Sequence, residues 1–159
     1  MTKEIATTIN GATFRGEVPD NELLLDFLRE RVGLIGVRQS CEVQVCGVCT
    51  VLVDGAPISS CCYLACDIDG RTVETIEGVT DTDFFQEISD AFVRHAAVQC
   101  GFCTPGIVLT AKALVGTTDL STEQAIREAM SGNLCRCTGY RSIIDALSEV
   151  FDKYPQVDD

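Results

Sequence analysis

Between Cys41 and Cys61 the chain reads CEVQVCGVCTVLVDGAPISSC, which sets Cys41, Cys46, Cys49 and Cys61 at the spacing C-x4-C-x2-C-x11-C. This is the plant-type spacing of ligands to a [2Fe-2S] cluster. The three thiolates from Cys41 to Cys49 can converge on one metal centre only if the backbone wraps round it, so a tight loop is expected there. Gly47, which has no Cβ, lets the main chain approach the inorganic sulfides closely. Cys61 returns on a hairpin: Thr50 to Val53 reads as a strand, Asp54-Gly55 as its turn, and Pro57-Ile58 as the start of the return.

Other uses of four cysteines fit less well. Disulfides belong to secreted chains, and the opening MTKEIATTING has no basic start followed by an apolar run. Structural zinc takes four thiolates, but its usual signature is two C-x2-C-like pairs. A Rieske centre needs two histidines, and the sequence has only His95. His95 itself falls on an expected helix as an ordinary surface or core residue.

Charge narrows the partners. With 24 acidic against 12 basic residues the net charge is -12, which argues against nucleic acid or an anionic membrane. No apolar run approaches the roughly 20 residues that span a bilayer. These features lead to the expectation of a soluble cytoplasmic protein. Ten cysteines in 159 residues are too many for core filling in such a chain, so most need a metal or redox role.

Eight of the ten form two foursomes. In the second, Cys100 and Cys103 make a C-x2-C pair, and Cys135 and Cys137 make a C-x-C pair further on. Each pair is expected where a loop meets a helix start, so that backbone N–H groups offset thiolate charge. Spacing alone leaves both an iron-sulfur cluster and zinc open at this site. Arg136, between two of the cysteines, is either a tuning charge or a solvent-facing side chain. The remaining cysteines, Cys62 and Cys66, stand at a helical i, i+4 spacing and read as small buried side chains. Cys62 is also an alternative to Cys61 as fourth ligand.

The order of elements gives two halves. Ile5 to Ile9 and Thr13 to Val18 flank Asn10-Gly11, a β-hairpin signal. Asp20 can cap a helix over NELLLDFLRERVG that Gly33 ends. After the cysteine loop and second hairpin, Thr72 to Ile76 reads as a last strand. From Thr80 no strand pattern remains. Thr82 or Asp83 can cap a helix lined by Phe84, Phe85, Ile88, Ala91, Phe92 and Ala96. Thr104-Pro105 reads as N-cap and first residue of a central helix. Ser121 and Gln124 form a capping box for a third helix closed by Gly132. Ile143, Ile144, Leu147, Val150, Phe151 and Tyr154 stripe the fourth.

Taken together, CGVCTVLVDG with Cys61 downstream, QCGFCTPG and GNLCRCTGY resemble, in order, the motifs of the small iron-sulfur subunit of the xanthine oxidase family of molybdenum hydroxylases. The resemblance runs from the first hairpin to about Val150 and favours iron over zinc at the second foursome. It implies an α+β chain. Residues 1–79 are expected as a plant-type ferredoxin-like β-grasp domain, and residues 80–159 as an all-α four-helix bundle.

The resemblance also implies two [2Fe-2S] clusters. One, on Cys100, Cys103, Cys135 and Cys137, lies beside the molybdopterin of a large partner subunit. The other, on Cys41, Cys46, Cys49 and Cys61, lies toward FAD in a medium subunit, within a heterotrimer or a dimer of heterotrimers. Electrons pass from molybdopterin through both clusters toward FAD. Gln99 matches the glutamine before the family's C-x2-C; it either contacts the pterin or bonds local carbonyls at a helix end. This chain alone carries no catalytic residue. The Glu42-Val43-Gln44-Val45 loop departs from relatives that carry glycine there, and its two β-branched residues restrict the backbone. The rival readings are a free-standing two-cluster ferredoxin-like carrier or redox sensor, and a zinc-stabilised interaction module.

Overall fold

The computed structural model describes residues 1–154. Strands β1 (Thr2–Ile9) and β2 (Ala12–Pro19) pair antiparallel with Ile9 opposite Ala12. Asn10 and Gly11 between them take φ of 48° and 80°, as a two-residue type I′ turn requires. Strands β3 (Thr50–Val53) and β4 (Ala56–Ser59) form the second hairpin, turned by Asp54 and Gly55 at φ 51° and 82°. Strand β5 (Thr72–Glu74) runs parallel to β1 and antiparallel to β3. The mixed sheet has the order β2-β1-β5-β3-β4. The last strand stops at Glu74, two residues before the expected Ile76, because Thr75 leaves the sheet to take the N-cap position of a short helix, α2 (Ile76–Val79).

Helix α1 (Leu24–Asp26) crosses the sheet and continues as a π-helical turn (Phe27–Arg31), closed by Val32 N–H donating to Phe27 O over 3.1 Å. The wider turn buries Leu24, Leu25, Phe27 and Leu28 together. Asp20 does not cap it. The N-cap position falls on Leu23, and Leu24 N–H donates instead to Tyr63 O over 2.7 Å, a tertiary bond that sequence spacing does not reveal. Gly33 does end the segment, at φ 85°.

Four further helices make the second half: α3 (Asp83–Arg94), α4 (Thr104–Leu114), α5 (Glu123–Ala129) and α6 (Arg141–Phe151). Thr82 caps α3 by accepting from Phe85 N–H. The caps of the next two helices differ from expectation by one residue. Cys103 occupies the N-cap of α4, and Thr122 caps α5 by accepting from Ala125 N–H. Ser121 is instead tied by its own N–H to Asp119, which leaves Thr122 to cap. Gly132 is not a left-handed helix stop, since α5 already ends at Ala129.

Two hydrophobic cores result. One, built on Ile5, Leu24, Phe27, Leu28, Val51, Val53 and Val73, lies between sheet and α1. The other unites α3 to α6 through Ile88, Phe92, Ile107, Ile143 and Leu147. Strand β3 serves both: Val51 and Val53 face the first core, and Leu52 points to the second. A strand buried on both faces reads as a continuous apolar run, which is what TVLV is.

Candidate metal centres

Residues 41–49 form neither helix nor strand. Glu42 and Gln44 take left-handed φ of 59° and 58°, while Val43 and Val45 stay outside that region. The β-branched residues therefore sit where the backbone is unstrained, and the left-handed positions fall to unbranched side chains. Alternation of this kind turns successive N–H groups inward into an anion-binding nest. Val45 and Cys46 N–H both donate to Cys41 Sγ, each over 3.4 Å. Backbone N–H groups of Val43, Val45 and Cys46 hold the Cys41 thiol down at about 6. Burial has the opposite effect on Cys49, pushed up to about 11.

The second foursome closes from two loops. All four of its cysteines line a cavity of about 290 Å³ that also includes Cys46, Phe102 and Leu134. Burial, with the neighbouring Cys135 thiol, raises Cys103 to about 12. A backbone N–H at Phe102 and the Cys137 thiol lower Cys100. Thr138 Oγ1 donates to Cys135 Sγ over 3.3 Å, and Cys135 N–H donates to Tyr140 Oη over 2.9 Å. Tyr140 reaches this position through a left-handed φ of 71° just ahead of α6.

The thiols within each foursome lie close enough to interact. Cys41 interacts with Cys46, and Cys49 with Cys61. In the second foursome Cys100 Sγ is 3.5 Å from Cys137 Sγ, and Cys103 interacts with Cys135. Two sulfurs on one tetrahedral metal, at bonds of about 2.3 Å, stand about 3.8 Å apart. A mononuclear tetrathiolate needs four sulfurs round one point. A [2Fe-2S] cluster needs two pairs, one for each iron, with sulfide between them. The 3.5 Å separation of Cys100 and Cys137 fits one such pair.

The two centres meet at Gly47. Leu134 N–H donates to Cys46 O over 2.8 Å, and Asn133 Nδ2 donates to Gly47 O over 3.2 Å. A Cβ on Gly47 would come within 2.7 Å of Asn133 Nδ2, and one on Gly106 would press into the Gly47 carbonyl. Close approach at Gly47 thus serves contact between the two halves. Arg38, just before the first loop, stacks over the Phe102 ring at 5.8 Å. Gly106, Asn133 and Tyr140 lie in the motifs QCGFCTPG and GNLCRCTGY, but the sequence reading assigned them no role. Besides the motifs, a glycine inside an apolar helix was a signal for Gly106, since it costs stability unless something packs against it.

Other expected residues lie differently. Cys62 is exposed and Cys66 half-buried, which corrects the reading of both as buried. The segment is two short 3₁₀ turns, Ser60–Cys62 and Ala65–Ile68, so the helical spacing does not apply. Gln99 is exposed beside Cys100 and five residues past the end of α3, so it is no helix-end side chain. Arg136 faces solvent at the rim of the cavity. His95 Nε2 lies 2.8 Å from Glu149 Oε2, tying the end of α3 to α6. Among the described residues no helix is long and apolar enough to cross a membrane.

Comparison with known proteins agrees with this arrangement. Residues 7–75 match the 2Fe-2S iron-sulfur cluster binding domain family and residues 75–148 the [2Fe-2S] binding domain family. The nicotine 6-hydroxylase small subunit of Paenarthrobacter nicotinovorans is 43% identical over 91% of this chain and 87% of its own length. The nicotinate dehydrogenase small FeS subunit of Eubacterium barkeri is 45% identical over 90% and 91%. A chain of quinoline 2-oxidoreductase from Pseudomonas putida 86 superposes with a TM-score of 0.87 at 44% identity, covering 95% of this chain and 94% of that one. With both cluster-binding domains in order and relatives matched over almost their full length, the chain belongs to the small iron-sulfur subunits of the xanthine oxidase family of molybdenum hydroxylases.

Proposed function

We propose that Cys41, Cys46, Cys49 and Cys61 hold one [2Fe-2S] cluster, and Cys100, Cys103, Cys135 and Cys137 the other. The convergence of each foursome carries this reading: the plant-type spacing closes on interacting thiols in the first, and all four cysteines line one cavity in the second. Each cluster, when bound, supplies one-electron redox chemistry that zinc cannot. The chain's own contribution is to hold, tune and connect. Nest N–H groups and the Thr138 hydroxyl offset thiolate charge, and buried Cys49, Cys61 and Cys135 keep water from the sulfurs. The bond from Leu134 N–H to Cys46 O joins the residue before one ligand to a ligand of the other centre through backbone alone.

On this reading electrons enter at the Cys100 side from the molybdopterin of the large subunit and leave at the Cys41 side toward FAD. Gln99, exposed beside Cys100, contacts the pterin. Val43 and Val45, 64% and 58% exposed on the first loop, face a medium FAD subunit, and Phe102 and Leu134 face the large one. The assembly is a heterotrimer or a dimer of heterotrimers. A cytoplasmic location, where thiols stay reduced, suits eight cysteines held as cluster ligands. Residues 1–79 form the first cluster domain and 80–159 the second; the two cores support a two-part division, with Leu52 and Val79 of the first part joining the core of the second.

Two variants in the native complex test the assignment. Cys137→Ser is expected to alter one of two reduced-cluster EPR signals, and Cys49→Ser the other. Loss of the same signal in both would refute it.

A further inference from the structure

Cys62 lies outside both foursomes, and its position is unusual. It is exposed, next in sequence to the buried Cys61, and its sulfur stands 3.9 Å from Cys61 Sγ. On its other side it lies 3.9 Å from Glu42 O, in the loop between Cys41 and Cys46. Cys62 Sγ therefore sits at the rim of the first centre, between the loop and the last ligand. An exposed free thiol there is a liability, open to oxidation and exchange, and it contributes nothing to either core.

The separation is that of two sulfurs on one tetrahedral metal, about 3.8 Å. An iron bonded to Cys61 at about 2.3 Å lies no more than about 6.2 Å from Cys62 Sγ, so a shift of under about 4 Å brings that sulfur into bonding range. Cys62 ends a single 3₁₀ turn and is followed by extended backbone at Tyr63. The backbone is held on both sides, by Ser60 Oγ donating to Cys49 O over 2.7 Å and by Leu24 N–H donating to Tyr63 O, so the shift falls to the exposed Cys62 side chain.

We propose that Cys62 is a reserve ligand for the iron that Cys61 holds. This rests on the assignment of Cys61 as resident ligand. In the exchange the Cys61–iron bond opens and the Cys62–iron bond forms. The proton leaving the Cys62 thiol is taken up by the departing Cys61 thiolate, and no electron is transferred. Where Cys61 is absent, that proton goes to solvent.

The test uses the native complex and reads iron content and reduced-cluster EPR, with the second centre as an internal control for folding. Cys61→Ala is expected to keep about four irons per chain and both signals, the first with shifted g-values; Cys61→Ala/Cys62→Ala is expected to keep about two irons and only the second signal. Cys61→Ser is expected to match the spectrum of Cys61→Ala, because Cys62 and not the serine oxygen supplies the ligand. Loss of the first cluster in Cys61→Ala, or a separate oxygen-ligated spectrum in Cys61→Ser, would overturn the proposal. Cys62→Ala separates this from the underlying assignment. Retention of both clusters supports Cys61 as resident ligand, and loss of the first would make Cys62 the resident and overturn both readings.

Discussion

Replacing Gly106 by alanine should destabilise this protein, against the general rule for helices. Within α4, glycine to alanine normally gains about 0.5–1 kcal/mol through lower backbone entropy. Here the added Cβ would lie 3.2 Å from the Gly47 carbonyl carbon and 3.3 Å from Val48 Cα, and closer still to the Gly47 oxygen. Ordinary carbon contacts need about 3.5–4.0 Å. The cysteine loop would have to retreat from α4, with an overpacking cost of about 1–3 kcal/mol. The same retreat strains the bonds from Leu134 N–H to Cys46 O and from Asn133 Nδ2 to Gly47 O, each worth about 1 kcal/mol. After subtracting the helix gain, the net loss is about 1–4 kcal/mol. Denaturant unfolding of the cluster-loaded complex measures it, and the magnetic coupling between the reduced clusters should weaken as the halves part. Gly55→Ala is the control: its φ of 82° carries a left-handed penalty of about 1–2 kcal/mol, but nothing lies within 4 Å and coupling should be unchanged. A Gly106→Ala protein as stable as wild type with unaltered coupling would refute the packing argument.

Gln44→Gly should stabilise the first loop by about 1 kcal/mol by relieving a left-handed φ, whereas Val43→Gly should not; thermal bleaching of the visible cluster absorbance compares them. Asn133→Ala should cost about 1–2 kcal/mol and weaken intercluster coupling, because a buried amide that ties the halves is lost. Arg94 and His95 hold the Glu149 carboxyl below its ordinary value. Its contribution to stability is therefore complete above the unfolded value of about 4.3 and is lost as pH falls through the depressed folded value. Glu149→Gln should accordingly lower the thermal midpoint near neutrality and flatten its decline in acid.

Local chemistry made much of this structure readable from sequence. Asn10-Gly11 and Asp54-Gly55 dictate hairpins because few other dipeptides tolerate two left-handed residues, and both turns form. Helix faces with an apolar period of 3.6, such as Ile143 to Phe151, bury as read. Features set by tertiary contact were not readable. Leu24 N–H is capped by Tyr63 O from a distant segment, and the capping role expected of Ser121, whose own N–H donates to Asp119, falls to Thr122. The cysteine spacings marked the two foursomes, but spacing does not tell which thiols pair. Nor does it show that Gly47 and Gly106 let one foursome's loop rest on the other's helix.

A two-cluster relay attached to a molybdenum subunit has a definite metal content. Iron, acid-labile sulfide, zinc and molybdenum should be measured in the complex purified from its native host without oxygen or metal exchange. About four irons and four sulfides per copy of this chain, with molybdenum in a co-purifying larger chain, is the predicted result. Zinc in place of iron, or iron and sulfide with no molybdenum-bearing partner, would contradict it.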